Sequence, residues 1–153
     1  MMKLNNIINR IKQINTNIKF IGEFDENNHK TGYWEVYWDN GVLEMKGNYL
    51  NGIKHGYWQY NWHNGNINVK GNFLNGLREG NWVSYFLNGN IESKGEFKNG
   101  LRNGYAEFYY NNGNIESKGE YISGKRHGYW EWYNKNGDIE TKGNYFYGKF
   151  IIK

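Results

Sequence analysis

Residues 119–142 read GEYISGKRHGYWEWYNKNGDIETK, and the glycines of this string recur along the chain at intervals of 24 residues. Gly47, Gly71, Gly95, Gly119 and Gly143 form one column, and Gly56, Gly80, Gly104 and Gly128 a second. Gly52, Gly76, Gly100, Gly124 and Gly148 form a third, and Gly41, Gly65, Gly89, Gly113 and Gly137 a fourth. Four interleaved columns on one period are the mark of a tandem array. Gly22 precedes Gly47 by 25 residues, so the first copy carries one extra residue, within Asp25–Thr31. Five full copies run from Gly22 to Lys142, and a sixth begins after them.

Asn136-Gly137 lies between two β-prone runs, and the same dipeptide recurs at Asn40, Asn64, Asn88 and Asn112. Asn-Gly between such runs predicts a two-residue type I′ hairpin, because both residues tolerate positive φ. Asn51-Gly52, Asn75-Gly76, Asn99-Gly100 and Ser123-Gly124 mark a second turn. Each copy is therefore two strands and two turns. The expected fold is all-β, an elongated single-layer antiparallel meander of about ten or eleven strands. At ~4.8 Å per strand it extends roughly 50 Å.

A two-residue turn at Asn112-Gly113 pairs Tyr110 with Ile115, Tyr109 with Glu116, Phe108 with Ser117 and Glu107 with Lys118, and sets Ala106 opposite Gly119. Elsewhere the Ala106 position is Trp34, Trp58, Trp82 or Trp130, each facing a glycine. An indole opposite a strand glycine lies over bare backbone, which gives both columns one cause. The same register opposes Glu35 to Lys46, Glu107 to Lys118 and Glu131 to Lys142, pairs worth about 0.2–1 kcal/mol each. One face then carries Trp34, Trp58, Trp62, Trp82, Phe86, Phe108, Tyr110, Trp130 and Trp132. These residues are the candidate interface, since contiguous apolar surface marks binding sites. The other face carries the lysine row Lys46, Lys70, Lys94, Lys118 and Lys142, candidate contacts for an anionic surface.

A single sheet leaves its apolar face wet unless something covers it. Curling of the sheet, an N-terminal segment, or a partner or second copy are the three candidate covers. Leu4, Ile7, Ile8, Ile11, Ile14 and Ile18 follow helical spacing, which predicts a short amphipathic helix over 3–16. Residues 1–20 are thus expected to cap a repeat domain of residues 21–153. An open meander also leaves its last strand, Gly143–Ile152, free for edge pairing.

Seven tryptophans and fourteen tyrosines exclude disorder, despite abundant glycine. The net charge of +4 is spread among interleaved lysines and glutamates, which is not the footprint of a nucleic-acid binder. Tyr37, Tyr85, Tyr109 and Tyr133 would be a stacking platform for single strands, but the neighbouring glutamates spoil the field. Without cysteine there is neither a disulfide nor a thiolate metal site. No apolar run approaches the ~20 residues of a membrane span, and no signal peptide is evident, so an intracellular, soluble, cytoplasmic protein is expected. A single alanine beside abundant Asn, Lys and Ile is the composition of an AT-rich genome.

Catalysis is not expected. His55 and His127 share a column three copies apart, ~29 Å at two strands per copy, too far to hold one metal. The Glu44, Glu92, Glu116 and Glu140 column spaces carboxylates ~10 Å apart, near an inverting glycosidase pair, but an exposed ladder raises no pKa and forms no pocket. No catalytic residue, cofactor or metal ligand is assigned.

The strings GNYLNGIKHGYW, GNFLNGLREGNW, GEFKNGLRNGY and GEYISGKRHGYW resemble the MORN repeat, and more closely its bacterial and viral variant, over about Gly22–Lys149. The resemblance implies an elongated β-sheet scaffold, often dimeric, with no catalytic domain of its own. It points to a non-enzymatic scaffold that binds a protein partner or itself. A peripheral phospholipid-binding module and an antitoxin-like inhibitor of a toxin are the alternatives. Asn27-Asn28 in the first copy and Ala106 in the fourth depart from the pattern, and irregular structure is expected at both.

Overall fold

The computed structural model describes residues 19–151, so the helix expected over 3–16 lies outside the described residues. Twelve strands follow one another in one antiparallel sheet, each hydrogen-bonded to its neighbours in the chain. They are β1 (Phe20–Phe24), β2 (Lys30–Tyr37), β3 (Leu43–Leu50), β4 (Ile53–Asn61), β5 (Ile67–Leu74) and β6 (Leu77–Tyr85), then β7 (Ile91–Lys98), β8 (Leu101–Tyr109), β9 (Ile115–Ile122), β10 (Lys125–Tyr133), β11 (Ile139–Phe146) and β12 (Lys149–Ile151). The expected last strand Gly143–Ile152 is instead the end of β11, a turn at Tyr147-Gly148 and β12. No described helix is long and apolar enough to cross a membrane.

The two turns of a copy differ, in the reverse of the expected sense. At Asn51-Gly52 both residues have positive φ, 50° and 78°, and Leu50 opposes Ile53, which is the type I′ hairpin. At Asn112-Gly113 only the glycine does, with φ 91°. The Gly113 N–H donates to the Tyr110 carbonyl and the Tyr110 N–H to the Asn114 carbonyl, both at 2.9 Å. This is a three-residue loop, a type I turn closed by a left-handed glycine. Asn112 recurs there for its side chain. Its Oδ1 accepts from the Asn114 N–H at 3.1 Å, and its Nδ2 donates to the Lys135 carbonyl of the next copy at 2.9 Å. Asn40 and Asn64 reach His63 and Leu87 in the same way. On the opposite edge, Gly76 and Gly100 N–H groups donate to the carbonyls of Lys54 and Arg78. Both long edges are thus laddered from copy to copy.

The longer loop shifts the register by one residue, and a bulge shifts it back. Tyr109 faces Ile115 and Phe108 faces Ser117, so Glu116 is left over. Glu44, Glu92 and Glu140 hold the same place in their strands. The expected partners beyond the bulge, Ala106 with Gly119 and Glu107 with Lys118, are therefore observed. The Tyr109–Glu116 and Tyr110–Ile115 pairs are not. A second irregularity follows the next turn. Between the pairs Gly47–Trp58 and Asn48–His55, the strand β4 carries Gly56 and Tyr57 without partners on β3. Gly56 has φ 68°, a conformation costly for any side chain, which explains that glycine column.

The first copy accommodates its extra residue as a loop of the longer kind. Asn28, at φ 63°, stands where glycine closes the other loops, and Asp25 Oδ1 accepts from the Asn27 and His29 N–H groups.

The core is one row of indoles. Trp34, Trp58, Trp82 and Trp130 are 2%, 0%, 3% and 0% exposed, although the sheet has a single layer. Each lies on the glycine of the preceding strand, Trp58 on Gly47 and Trp82 on Gly71, rather than on the glycine of its own hairpin. The Trp58 N–H donates to the Asn48 carbonyl at 3.1 Å, and its ring meets Tyr49 edge-on at 4.9 Å and stacks on Tyr60 at 5.9 Å. A cation closes the roof. Lys30, Lys54, Arg78 and Arg126 lie 4.6, 4.8, 4.4 and 4.9 Å from the ring centres of Trp34, Trp58, Trp82 and Trp130. Such contacts add about 0.5–2 kcal/mol each. Of the three candidate covers, the sheet itself supplies the one over the indoles.

Candidate functional site

The face opposite the indoles is built from four rows. Nearest the type I′ turns stand Leu50, Ile53, Leu74, Leu77 and Leu101, all about half exposed. They pair across the hairpin, Leu50 with Ile53 and Leu74 with Leu77, and Ile53 and Leu77 reach the glycines of the next turns, Gly76 and Gly100. Beside them, Tyr33, Tyr57, Tyr105 and Tyr129 each precede the indole position by one residue and so point outward, again about half exposed. The lysine and glutamate row follows, and then Tyr37, Tyr85, Tyr109 and Tyr133. An outward face of tyrosine and leucine between paired charges has the composition of a protein interface.

Two of the five lysines on this face are matched by carboxylates. Lys94 Nζ reaches Glu107 at 2.7 Å and Lys118 Nζ reaches Glu131 at 3.1 Å. These are not the expected Glu107–Lys118 and Glu131–Lys142 pairs. Each lysine bonds to the carboxylate across the type I′ hairpin, Lys118 having Glu107 on its other side and Lys94 having Val83. Hydroxyls complete the clusters. Tyr109 donates to Glu107, and Tyr133 donates to Glu131 at 2.6 Å. Glu131 is held below its ordinary pKa by that bond and by Lys118. Lys70 lies over the Tyr85 ring at 5.3 Å.

The nominated interface residues divide into two sets. Trp34, Trp58, Trp82 and Trp130 are core and present no surface to a partner. Trp62, Phe86, Phe108, Tyr110 and Trp132 are half-buried on the same side. Trp62 and Tyr110 are bound into the array, donating to the carbonyls of Tyr85 at 3.0 Å and Tyr133 at 2.8 Å. The leucine row and the outward tyrosines were missed in the sequence. A signal for them was present, since both are columns on the 24-residue period and alternation from the indoles places the tyrosines on the face of Glu35 and its equivalents, as the Tyr33–Glu35 hydrogen bond shows.

Two phenols give the fold an alkaline limit. Tyr37 donates to Glu35 at 2.5 Å, and this bond, with burial, pushes its pKa up to about 12. Burial pushes Tyr60 up to about 12. A folded pKa above the ordinary 10.0 means that their contribution is full below pH 10 and is lost as the pH rises to about 12. Urea melts across that range should show falling stability, with a shallower fall in Tyr60→Phe. An equal slope in the variant would show that this phenol titrates normally.

Profile comparison identifies the repeat. The MORN repeat variant matches residues 30–51, 54–75, 78–99 and 126–146. The MORN repeat matches 94–115 and 118–129. Together these stretches cover well over half of the chain.

The chain belongs to the MORN repeat family.

Each window of the variant opens at or beside the roof cation, Lys30, Lys54, Arg78 or Arg126, and takes in the following indole. The window containing Ala106, where the indole is absent, matches the plain MORN repeat. MORN repeats are non-enzymatic modules for interaction with proteins or membranes. No curated protein matches this MORN chain.

Proposed function

We propose that this chain is a scaffold that binds protein through its outward face, and that its first partner is a second copy of itself. The observation that carries this reading is the apolar stripe Leu50, Ile53, Leu74, Leu77 and Leu101 beside the exposed tyrosines. Next to it runs a row in which lysine alternates with glutamate, Gln59 or Val83. A mixed-sign row is complementary to its own reverse, as a two-fold interface requires. The lysines already engaged with Glu107, Glu131 and Tyr85 have less to offer an anionic surface.

Sedimentation velocity on the full chain over a rising concentration series tests the proposal. The wild type should shift to dimer, and Leu74→Lys with Leu77→Lys should stay monomeric at an unchanged melting temperature. Lys98 and Lys125 already occupy equivalent positions in later copies, so lysine is compatible with the fold there. A wild type that remains monomeric throughout rules out self-association. Salt-sensitive sedimentation with phosphatidylserine vesicles, lost when Lys46, Lys70 and Lys142 are changed to Gln, would move the function to the lysine row.

A further inference from the structure

Ala106 breaks the indole row. It is 1% exposed, and no ring covers Gly95. The neighbouring cation fills the space. Arg102 Nη1 lies 2.8 Å from the point where a Gly95 side chain would begin, and Nη2 donates to Ser93 Oγ at 3.1 Å. Phe150, of the same column as Arg102, lies over Gly143 in the equivalent way. A phenyl ring does this without consequence, but a guanidinium does not. Arg102 Nη1 is enclosed and has no hydrogen-bond partner.

Around it the apolar row changes character. Val36, Met45, Tyr60 and Val69 give way to Ser84 and Ser93, whose hydroxyls are 2.8 Å apart. Arg78 and Arg102 border one open groove of about 640 Å³, with Phe86 and Phe108 among its walls and Glu92 and Glu116 also lining it. Neither guanidinium forms an ion pair with a carboxylate among the described residues. Burial lowers the pKa of both arginines, and the like charge of Arg78 lowers that of Arg102 further. The lining carries two carboxylates for two guanidinium groups, but no ion pair joins them, and Arg102 keeps a donor without a partner, which is costly at a desolvated cation.

The lining selects among anions. The planar guanidinium fork matches a carboxylate, and hydroxyl donors extend the match. Phe86 and Phe108 favour an apolar body, while Glu92 and Glu116 disfavour a dianion. We propose that this groove binds a small monocarboxylate with an apolar body, its carboxylate toward Arg78, Arg102 and the serine hydroxyls, its body against Phe86 and Phe108.

Calorimetric titration of the full chain with benzoate, acetate and inorganic phosphate tests this. Benzoate should bind saturably, one per chain, with acetate and phosphate weaker by roughly tenfold or more. Arg102→Gln should weaken benzoate by roughly tenfold. Ala106→Trp should also abolish benzoate binding, because an indole on Gly95 sends Arg102 back to the roof position that Arg78 holds over Trp82. That variant should melt higher than the wild type, which separates lost binding from lost folding. If it melts lower, the Arg102→Gln and Ser93→Ala titrations decide. Absence of saturable benzoate binding, phosphate bound more tightly than benzoate, or variants that bind like the wild type would each overturn the proposal.

Discussion

Replacing Trp82 by alanine lowers the stability of the fold by about 3–5 kcal/mol, the range for a buried tryptophan. The indole is 3% exposed, its N–H donates to the Asn72 carbonyl at 3.0 Å, and its ring meets Phe73 edge-on at 5.0 Å. Arg78 caps it at 4.4 Å. Truncation leaves a cavity over Gly71 and strips the cation of its ring. The position makes the effect larger than at an end of the array. Each copy contacts only its neighbours, so stability is a sum of copies and the interfaces between them. The copy that follows already lacks an indole at Ala106. Two consecutive copies without one form a weak joint in the middle of the ribbon. Urea unfolding followed by circular dichroism should show a lower midpoint and a broadened or divided transition. Tyr85→Ala, on the opposite face, should cost only about 1 kcal/mol, since it loses little beyond its contact with Lys70. Equal small losses would refute the placement of the core.

Gly47→Ala is the second large effect, at about 3 kcal/mol, the upper end for overpacking. A methyl group on Gly47 would fall within the ring of Trp58, too close for any carbon–carbon contact. Trp58 cannot move away, because Tyr49, Tyr60, Phe73 and Lys54 enclose it. Gly113→Ala provides the contrast. Nothing lies within 4 Å of a side chain there, so only the positive φ is strained, at about 1–2 kcal/mol. The two substitutions remove the same residue type for different reasons. Fluorescence should distinguish them, since only Gly47→Ala dislodges an indole from its dry site. Identical emission spectra and identical losses would mean that Gly47 matters for backbone conformation alone.

The glycine columns were legible in the sequence as a period, and the hairpin register near the indoles was read correctly for an incomplete reason. A two-residue loop at Asn112-Gly113 and a three-residue loop followed by a bulge at Glu116 lead to the same partners for Phe108, Glu107 and Ala106. No local pattern separates the two, because Asn-Gly suits both turn types. The bulge at Gly56 was invisible for a related reason. Gly56 and Tyr57 pair regularly with Phe73 and Asn72 on β5, so the irregularity exists only toward β3 and leaves no mark on the alternation along β4. The outward tyrosines lie where alternation from the indoles puts them; the tryptophans were nominated for their apolar bulk, and it is their burial that the sequence did not show.

Repetition of short-range preferences decided that this chain is a ribbon of antiparallel hairpins with indoles and glycines in register. Turn propensity, strand propensity and residue spacing act within a few positions, so they can be read in one dimension. The sheet itself decided what those indoles touch. Each reaches back to the glycine of the preceding strand and beneath a cation two strands from its equivalents, and Arg102 enters the gap at Ala106. These contacts depend on how far neighbouring strands twist and bulge, a property of the assembled sheet that no single strand carries.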